Sequence, residues 1–210
     1  MRITAAKSDL RFNLTWLATR LHGPWALQLA HWPYSHYEKL LHGGLVKRVL
    51  ITGMSGTGKS SVIHQLAARG FDAVDLDCDE FSHWVEVLPA TSEHPTPASG
   101  RDWVWREDRV QEILANESVD LLFVSGCAEN MRKFVPQFDH IVLLSAPADV
   151  LVERLGRRTN NQFGKRPEEL DQVMTALRTV EPLLRKLADH EIDTRGSLEK
   201  VVAAVLMHVK

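Results

Sequence analysis

The amino-acid sequence predicts an α/β fold in which a parallel sheet is covered by helices on both faces. Short apolar runs typical of buried strands alternate with helical patterns from residue 47 onward in the 210-residue chain. A glycine-rich motif lies between the first apolar run and the first helical pattern. The composition also changes near residues 45–47, which divides the sequence into an N-terminal extension, 1–45, and a main domain, 46–210.

The N-terminal extension is predicted to be mostly helical, and the sequence does not indicate its role. Leu10, Leu14, Leu17 and Leu21 have the spacing of one helix face. Residues 1–46 hold five basic and two acidic residues, a net charge of +3, whereas the remainder is net acidic. A transit peptide and a wrongly assigned translation start are the alternatives for this segment.

Each element of the main domain is predicted from its own pattern. The first helix ends at Gly70, a later helix has Pro147 in its first turn, and Pro182 kinks a long helical pattern. Residues 89–100 form a loop rich in Pro, Ser and Thr. The predicted strands are 49–51, 71–76, 119–124, 141–144 and 191–193, and the predicted helices are 59–69, 106–117, 147–157, 167–189 and 198–209.

The overall composition excludes several classes of protein. With 44 % hydrophobic and 25 % charged residues, the chain suits one or two buried cores. A net charge of −2 gives no general attraction to nucleic acid, and the longest uncharged stretch, 21–37, is too polar to span a membrane. Two cysteines do not make a disulfide framework, so we expect a reducing, cytoplasmic location.

The glycine-rich motif is a complete phosphate loop. Residues 53–60, Gly-Met-Ser-Gly-Thr-Gly-Lys-Ser, satisfy G-x-x-x-x-G-K-[ST] between a predicted strand and a predicted helix. Its glycines let backbone N–H groups surround phosphate oxygens, Lys59 reaches the β- and γ-phosphates, and the Ser60 hydroxyl binds Mg²⁺. The residues expected to bind a nucleoside triphosphate are Gly53, Ser55, Gly56, Thr57, Gly58, Lys59, Ser60 and Ser61.

Two aspartates follow the second predicted strand. Asp75 and Asp77 lie at the carboxyl edge of the sheet, where ligands of open α/β sheets bind. Residues two apart on an extended chain point the same way, so Asp75 is a candidate Mg²⁺ ligand and Asp77 a candidate general base and acceptor contact. The alternative is a helix-capping cluster, which we prefer for Asp79 and Glu80.

A basic segment between two predicted helices resembles a mobile lid. Arginine forks there would stabilise the charge of a transferring phosphoryl group. The alternative is a solvated loop whose arginines pair with Glu153, Glu168 and Glu169. Residues 154–166 contain five basic residues and no acid: Arg154, Arg157, Arg158, Lys165 and Arg166.

The residues after the Pro-rich loop are candidates for binding a phosphoryl acceptor. Trp103 and Trp105 could stack on a ring, and Arg106 and Arg109 could clasp a phosphate or a carboxylate. Alternatively, the tryptophans belong to the core and the charges are solvated. Gly126, at the end of the third predicted strand of the sheet, completes the expected acceptor site.

Residues 47–210 resemble the small phosphate-loop kinases, the group of shikimate, gluconate and nucleoside monophosphate kinases. Besides the phosphate loop, the resemblance depends on Asp75-Leu76-Asp77, the arginines of 154–158 with Lys165-Arg166-Pro167, and Ile192-Asp193-Thr194 before the last helix. The sequence departs from the shikimate kinases at two motifs. Ser125-Gly126-Cys127 replaces three glycines, and Trp105-Arg106 with Arg109 corresponds only loosely to Phe-Arg-x-x-Glu.

The resemblance implies a phosphate-loop NTPase fold with three layers, a five-stranded sheet of strand order 2-3-1-4-5 and a mobile lid. It also implies that Arg154 lies near adenine and that Arg157 or Arg158 reaches the γ-phosphate. The cofactors would be ATP and Mg²⁺. We therefore expect a kinase, monomeric or homodimeric, that phosphorylates a small molecule whose identity the sequence does not give. A nucleoside monophosphate kinase and an ATP-dependent regulatory or assembly NTPase are the alternatives.

Overall fold

The computed structural model describes residues 46–86, 100–159 and 161–209. The N-terminal extension, with its predicted leucine-faced helix, lies outside the described residues, as does most of the predicted Pro-rich loop. The strands are β1 (Lys47–Thr52), β2 (Asp72–Asp75), β3 (Ser82–Glu86), β4 (Arg101–Trp105), β5 (Leu121–Ser125), β6 (His140–Ser145) and β7 (His190–Asp193). The helices are α1 (Lys59–Ala68), α2 (Glu107–Leu114), α3 (Ala148–Arg157), α4 (Pro167–Thr179), α5 (Glu181–Leu187) and α6 (Leu198–Val209).

Five strands form one parallel sheet in the order β2-β5-β1-β6-β7. Counted along the chain within this sheet, the order is 2-3-1-4-5, which confirms the predicted fold. β1 is the central strand, and Ile51 lies opposite Ser125 of β5 on one side and Val142 of β6 on the other. The loop after β1 therefore leaves the sheet at its middle, at the carboxyl edge.

Two hydrophobic cores cover the two faces of the sheet. Side chains of β1 alternate between them, so that Leu50 packs in one core whereas Val49 and Ile51 pack in the other. The first core includes Leu114 of α2 and Leu151 of α3, and the second includes helices α1 and α6. This arrangement is the predicted three-layer structure.

The helix boundaries follow local chemistry. Gly70, at φ +85°, ends α1 in a conformation that favours glycine. Helix α4 begins at Pro167, and the Glu169 carboxylate accepts a hydrogen bond from the main-chain N–H of Gly164 at 2.9 Å. The pattern predicted as one kinked helix, 167–189, is two helices that meet at Val180, because Pro182 has no N–H to continue the ladder.

An antiparallel hairpin of β3 and β4 was not predicted. Ser82 lies opposite Trp105 at its base, and Trp84 lies opposite Trp103 further out. The two indole rings of the outer pair are 5.1 Å apart between centroids. The hairpin leaves the sheet after β2, so it stands beside the carboxyl edge. Within the described ranges, no helix has the length and apolar character needed to cross a membrane.

Candidate active site

A cavity of about 760 Å³ opens above the carboxyl ends of the central strands. The phosphate loop and the start of α1 form its floor. Asp77 lies at one side, and the end of α3 and the turn after β7 lie at the other. Its lining contains Ser55, Gly56, Thr57, Gly58, Lys59, Ser60 and Ser61 of the loop, Arg154, Arg157, Arg158 and Asn161 of the lid, and Thr194, Gly196 and Leu198 after β7.

The loop geometry depends on glycines. Gly53, Gly56 and Gly58 have φ values of +146°, +89° and +96°, which residues with a Cβ rarely adopt. Thr57 closes the loop, since its hydroxyl donates to the main-chain oxygen of Met54 at 2.8 Å. Gly58 precedes α1 without a side-chain cap among the described residues, so the first amides of the helix are available to an anion.

Lys59 is the cation at the centre of the site. Its side chain is buried, with the residue 8 % exposed. The ammonium group donates to the main-chain oxygen of Gly53 at 2.9 Å and lies 3.5 Å from Asp77 Oδ2. Gly53 itself does not line the cavity, but its carbonyl group holds the lysine in place. A phosphate that enters the loop therefore meets a preformed positive charge.

Asp77 and Asp75 have different surroundings. Asp77 faces the cavity, and its Oδ1 accepts a hydrogen bond from the Cys127 main-chain N–H at 3.3 Å. Asp75 does not line the cavity. Its Oδ1 accepts from the Ser125 hydroxyl at 3.0 Å and from the Asp77 N–H at 3.1 Å, which ties the ends of β2 and β5 together. The Mg²⁺ contact expected of Asp75 stays a prediction.

The first three arginines of the lid have separate partners. Arg154 donates to the Thr194 hydroxyl at 2.9 Å and to the Gly56 carbonyl at 3.4 Å, so it joins α3 to the phosphate loop and to the turn after β7. Arg157 is solvent-exposed and pairs with Glu153 at 2.6 Å. Arg158 is half-buried and donates to the Phe163 carbonyl, and burial lowers the pKa of its guanidinium. All three line the cavity.

The other two basic residues of the segment, Lys165 and Arg166, are exposed and do not line this cavity. Arg166 lies 3.8 Å from Glu169, as the solvated-loop alternative expected. The structure thus brings Arg154, Arg157 and Arg158 to the nucleotide side and leaves the remaining charges at the surface.

The predicted acceptor residues do not all meet. Arg106 donates to the Asp79 carbonyl at 3.3 Å, and Arg109 pairs with Glu80 at 3.5 Å and with Glu112 at 3.2 Å. Neither arginine lines the cavity. Their contact with an acceptor stays a prediction.

Trp105 does not stack on a ligand ring, as the acceptor-site hypothesis expected, but belongs to the core, as the alternative expected. The residue is only 1 % exposed, and its ring packs in the core against Phe134, with 5.8 Å between centroids. It has no free face to offer a ligand, because alternation along β4 turns it inward at the base of the hairpin. Its indole edge, however, lies against Gly126 and close to Asp77.

Sequence reasoning missed several residues of the site. Glu153, Asn161 and Gly196 line the cavity, and Asn130 holds the main chain of Trp105. Glu153 was expected only as a partner of the lid arginines, and its ion pair with Arg157 agrees with that alternative. No signal in the sequence connects Asn130 with Trp105, since the two are 25 residues apart and meet only after folding.

The sheet order and the phosphate loop together define the class: this is a small phosphate-loop kinase by fold. Residues 49–175 match the model of the AAA_18 family, described as AAA domain, and the protein belongs to that family. The fold and the family match both agree with the small phosphate-loop kinases that the sequence resembles.

Similar proteins include shikimate kinases. A shikimate kinase of Rhodopseudomonas palustris is 27 % identical over 165 residues, which cover 75 % of this chain and 80 % of that protein. A shikimate kinase 2 of Yersinia enterocolitica is 25 % identical over 175 residues, or 77 % of this chain and 95 % of the relative.

Two solved structures share the fold. Shikimate kinase from Acinetobacter baumannii, in complex with shikimate, gives a TM-score of 0.54 at 20 % identity and covers 80 % of this chain and 96 % of its own. Shikimate kinase from Bacteroides thetaiotaomicron gives a TM-score of 0.53 at 22 % identity and covers 77 % of this chain and 97 % of its own.

Proposed function

We propose that this protein is a phosphotransferase that moves the γ-phosphoryl group of ATP to a small-molecule acceptor with the help of Mg²⁺. One observation carries the proposal. Lys59, the cation of the phosphate loop, lies 3.5 Å from the Asp77 carboxylate at the edge of the same cavity. A phosphate-binding charge and a proton acceptor therefore meet at one point, which is what phosphoryl transfer to a hydroxyl requires.

The nucleotide side is formed by the loop and the lid. Loop amides and Lys59 would bind the phosphates, and Arg154 would lie beside the adenine ring between Gly56 and Thr194. Arg157 or Arg158 would reach the γ-phosphate, since both line the cavity. Arginine forks at that point neutralise charge that spreads over the transferring oxygens.

The residues present fit a Mg²⁺ ion. The Ser60 hydroxyl lines the cavity at the start of α1, and hydroxyl and carboxylate oxygens are the hard donors that bind this ion. Together with Asp75, which would act through water from behind Asp77, it would hold the ion against phosphate oxygens. When bound, Mg²⁺ neutralises charge on the β- and γ-phosphates.

The acceptor side begins at Asp77. In the proposed reaction, the acceptor oxygen forms a bond to the γ-phosphorus while the bond from that phosphorus to the β–γ bridging oxygen breaks. The acceptor proton moves to Asp77, and ADP leaves with the electron pair of the broken bond. Gly126 and Trp105 lie beside Asp77 and border this position. Arg106 and Arg109 would approach from the hairpin side.

The direct test is a search for the acceptor. Thermal shifts would be measured with a nonhydrolysable ATP analogue, Mg²⁺ and a panel of shikimate, gluconate, other polyols, nucleosides and nucleoside monophosphates. We expect one of these compounds to raise the melting temperature of the protein and to accelerate the formation of ADP from ATP. Slow hydrolysis that no small molecule accelerates, but that a protein partner does, would instead support a regulatory NTPase.

The two alternatives differ in their products. A nucleoside monophosphate kinase would form a phosphoanhydride, whereas a small-alcohol kinase forms a phosphomonoester, and ³¹P NMR separates the two. Arg109 is already engaged by Glu80 and Glu112, which does not favour a phosphate clasp at this position.

The free thiols of Cys78 and Cys127 suit a reducing cytoplasm.

A further inference from the structure

Trp105 carries a buried hydrogen-bond donor with no partner. Its indole Nε1 is enclosed and makes no hydrogen bond within the described part of the chain. Buried donors in native proteins are nearly always paired, so an unpaired donor needs an explanation. Because this donor lies beside the proposed active site, a ligand atom is the explanation that follows.

The position of Trp105 is fixed by another buried side chain. Asn130 accepts a hydrogen bond from the Trp105 main-chain N–H at 2.9 Å and donates one to the Trp105 carbonyl at 2.9 Å. Asn130 is itself buried. The main chain of Trp105 is therefore held at both polar groups, and the indole edge has a defined direction.

That edge packs closely against Gly126, an approach that the absence of a side chain at this position allows. A Cβ atom at Gly126 would lie 3.0 Å from Trp105 Nε1, 3.0 Å from Asp77 Oδ1 and 2.8 Å from Trp105 Cζ2. A hydrogen-bond donor and a carboxylate oxygen thus both lie beside Gly126. We call the group formed by Trp105 Nε1, Asp77 Oδ1 and Gly126 the hydroxyl niche.

The geometry points to a hydroxyl group as its occupant. We infer that Trp105 is a specificity-determining residue that selects alcohol acceptors over phosphate acceptors. This inference rests on the proposed function. A hydroxyl can donate to Asp77 and accept from the indole N–H at once. A fully ionised phosphate ester has no proton for Asp77 and repels its charge. The phenylalanine of the Phe-Arg-x-x-Glu motif has no N–H, so the tryptophan adds a donor.

Nucleotide binding opens the niche. In this structure Lys59 lies 3.5 Å from Asp77 Oδ2 and so holds the carboxylate. A phosphate in the loop draws Lys59 away, because the ammonium then has a stronger anionic partner. The carboxylate loses this contact and turns towards the acceptor, which lets the hydroxyl reach the indole nitrogen. Acceptor binding at the niche therefore requires the nucleotide.

The first test observes the indole N–H directly. Trp105→Phe identifies its resonance in the ¹⁵N–¹H spectrum of the full chain with Mg²⁺ and a nonhydrolysable ATP analogue. Shikimate, gluconate, adenosine and glycerol are the hydroxyl probes, and methyl phosphate at pH 8 is the anionic probe. We expect at least one hydroxyl probe, and not methyl phosphate, to shift the Trp105 proton downfield. A response to methyl phosphate alone, or to no probe, overturns the inference.

The second test is kinetic and uses whichever probe is phosphorylated. Trp105→Phe keeps an aromatic ring and removes the donor, so KM for the acceptor should rise about threefold to tenfold while kcat and the nucleotide Kd stay within twofold. If this variant does not fold, 3-benzothienyl-L-alanine at position 105 keeps the bicyclic shape without the N–H. An unchanged KM in the variant that folds overturns the inference and leaves the proposed function standing.

A filled niche provides a matched pair of variants. Gly126→Ala places a methyl group against Trp105 and Asp77 and should raise KM for the acceptor more than tenfold, whereas the methyl group of Gly156→Ala meets no described atom outside its own helix turn within 4 Å and should leave KM unchanged. Equal effects of the two variants contradict the niche. If the resonance responds to a hydroxyl probe but no phosphate is transferred to any probe, the proposed function fails while the niche stands.

Discussion

Replacing Gly53 with alanine should destabilise the protein by about 2–6 kcal/mol. A Cβ atom at this position would lie 2.3 Å from the main-chain oxygen of Leu144 on β6, a distance that non-bonded atoms do not tolerate. The residue also has φ +146°. Strain of this kind costs about 1–3 kcal/mol, and overpacking against a buried strand costs about 1–3 kcal/mol more. The oxygen belongs to the backbone of the sheet, so it has no side-chain torsion with which to move away.

The assay is urea unfolding followed by far-ultraviolet circular dichroism. Gly156→Ala is the matched control, because its methyl group meets no described atom outside its own helix turn within 4 Å and α3 gains a better helix former, worth up to about 1 kcal/mol. The two alanine variants should therefore change stability in opposite directions. A loss below about 1 kcal/mol for Gly53→Ala would refute the close approach of the loop to β6.

Three further predictions concern catalysis, pH and the domain boundary. Asp77→Asn should lower phosphoryl transfer by about 10²–10⁴-fold and retain ATP affinity by titration, and the reverse pattern would make Asp77 a metal-binding or structural residue. A hydrogen bond from Arg185 lowers the pKa of Glu191, so this pair stabilises the fold above about pH 4.5 and its contribution disappears as the pH falls through the lowered pKa. Urea midpoints at pH 7 and pH 3 should therefore differ less in Arg185→Gln than in the wild type; an equal difference contradicts the assignment. Residues 46–210 alone should fold and bind ATP in a pull-down on immobilised nucleotide, and an insoluble fragment would show that the extension is needed.

The fold could be predicted because its signals are local. The phosphate loop occupies eight consecutive residues, and each strand of the parallel sheet is a short apolar run that needs little context to recognise. Once the loop and the resemblance are accepted, the strand order follows, and it places Asp77 and the phosphate loop at the same edge of the sheet. The 3.5 Å contact between Lys59 and Asp77 lies at that edge and was not itself predicted.

The remaining features depend on contacts between distant residues. The β3–β4 hairpin has strands of only five residues whose pairing spans a long connection, so each strand alone is a weak signal. Whether Trp105 is buried or exposed is decided by Asn130 and by the core, neither of which is adjacent in sequence. Of the two partners of Arg109, Glu112 lies at the helical i,i+3 spacing, whereas Glu80 lies on a separate segment that no spacing rule connects to Arg109.

The measurement that tests the central claim most directly is ATP turnover in Lys59→Ala. With γ-labelled ATP, Mg²⁺ and the acceptor found in the thermal-shift screen, the wild type should place the label on the acceptor. Lys59→Ala should lose this transfer while its circular dichroism spectrum stays that of the wild type, and Lys186→Ala, an exposed lysine on α5, should transfer label normally. Turnover near the wild-type rate in Lys59→Ala would contradict the account.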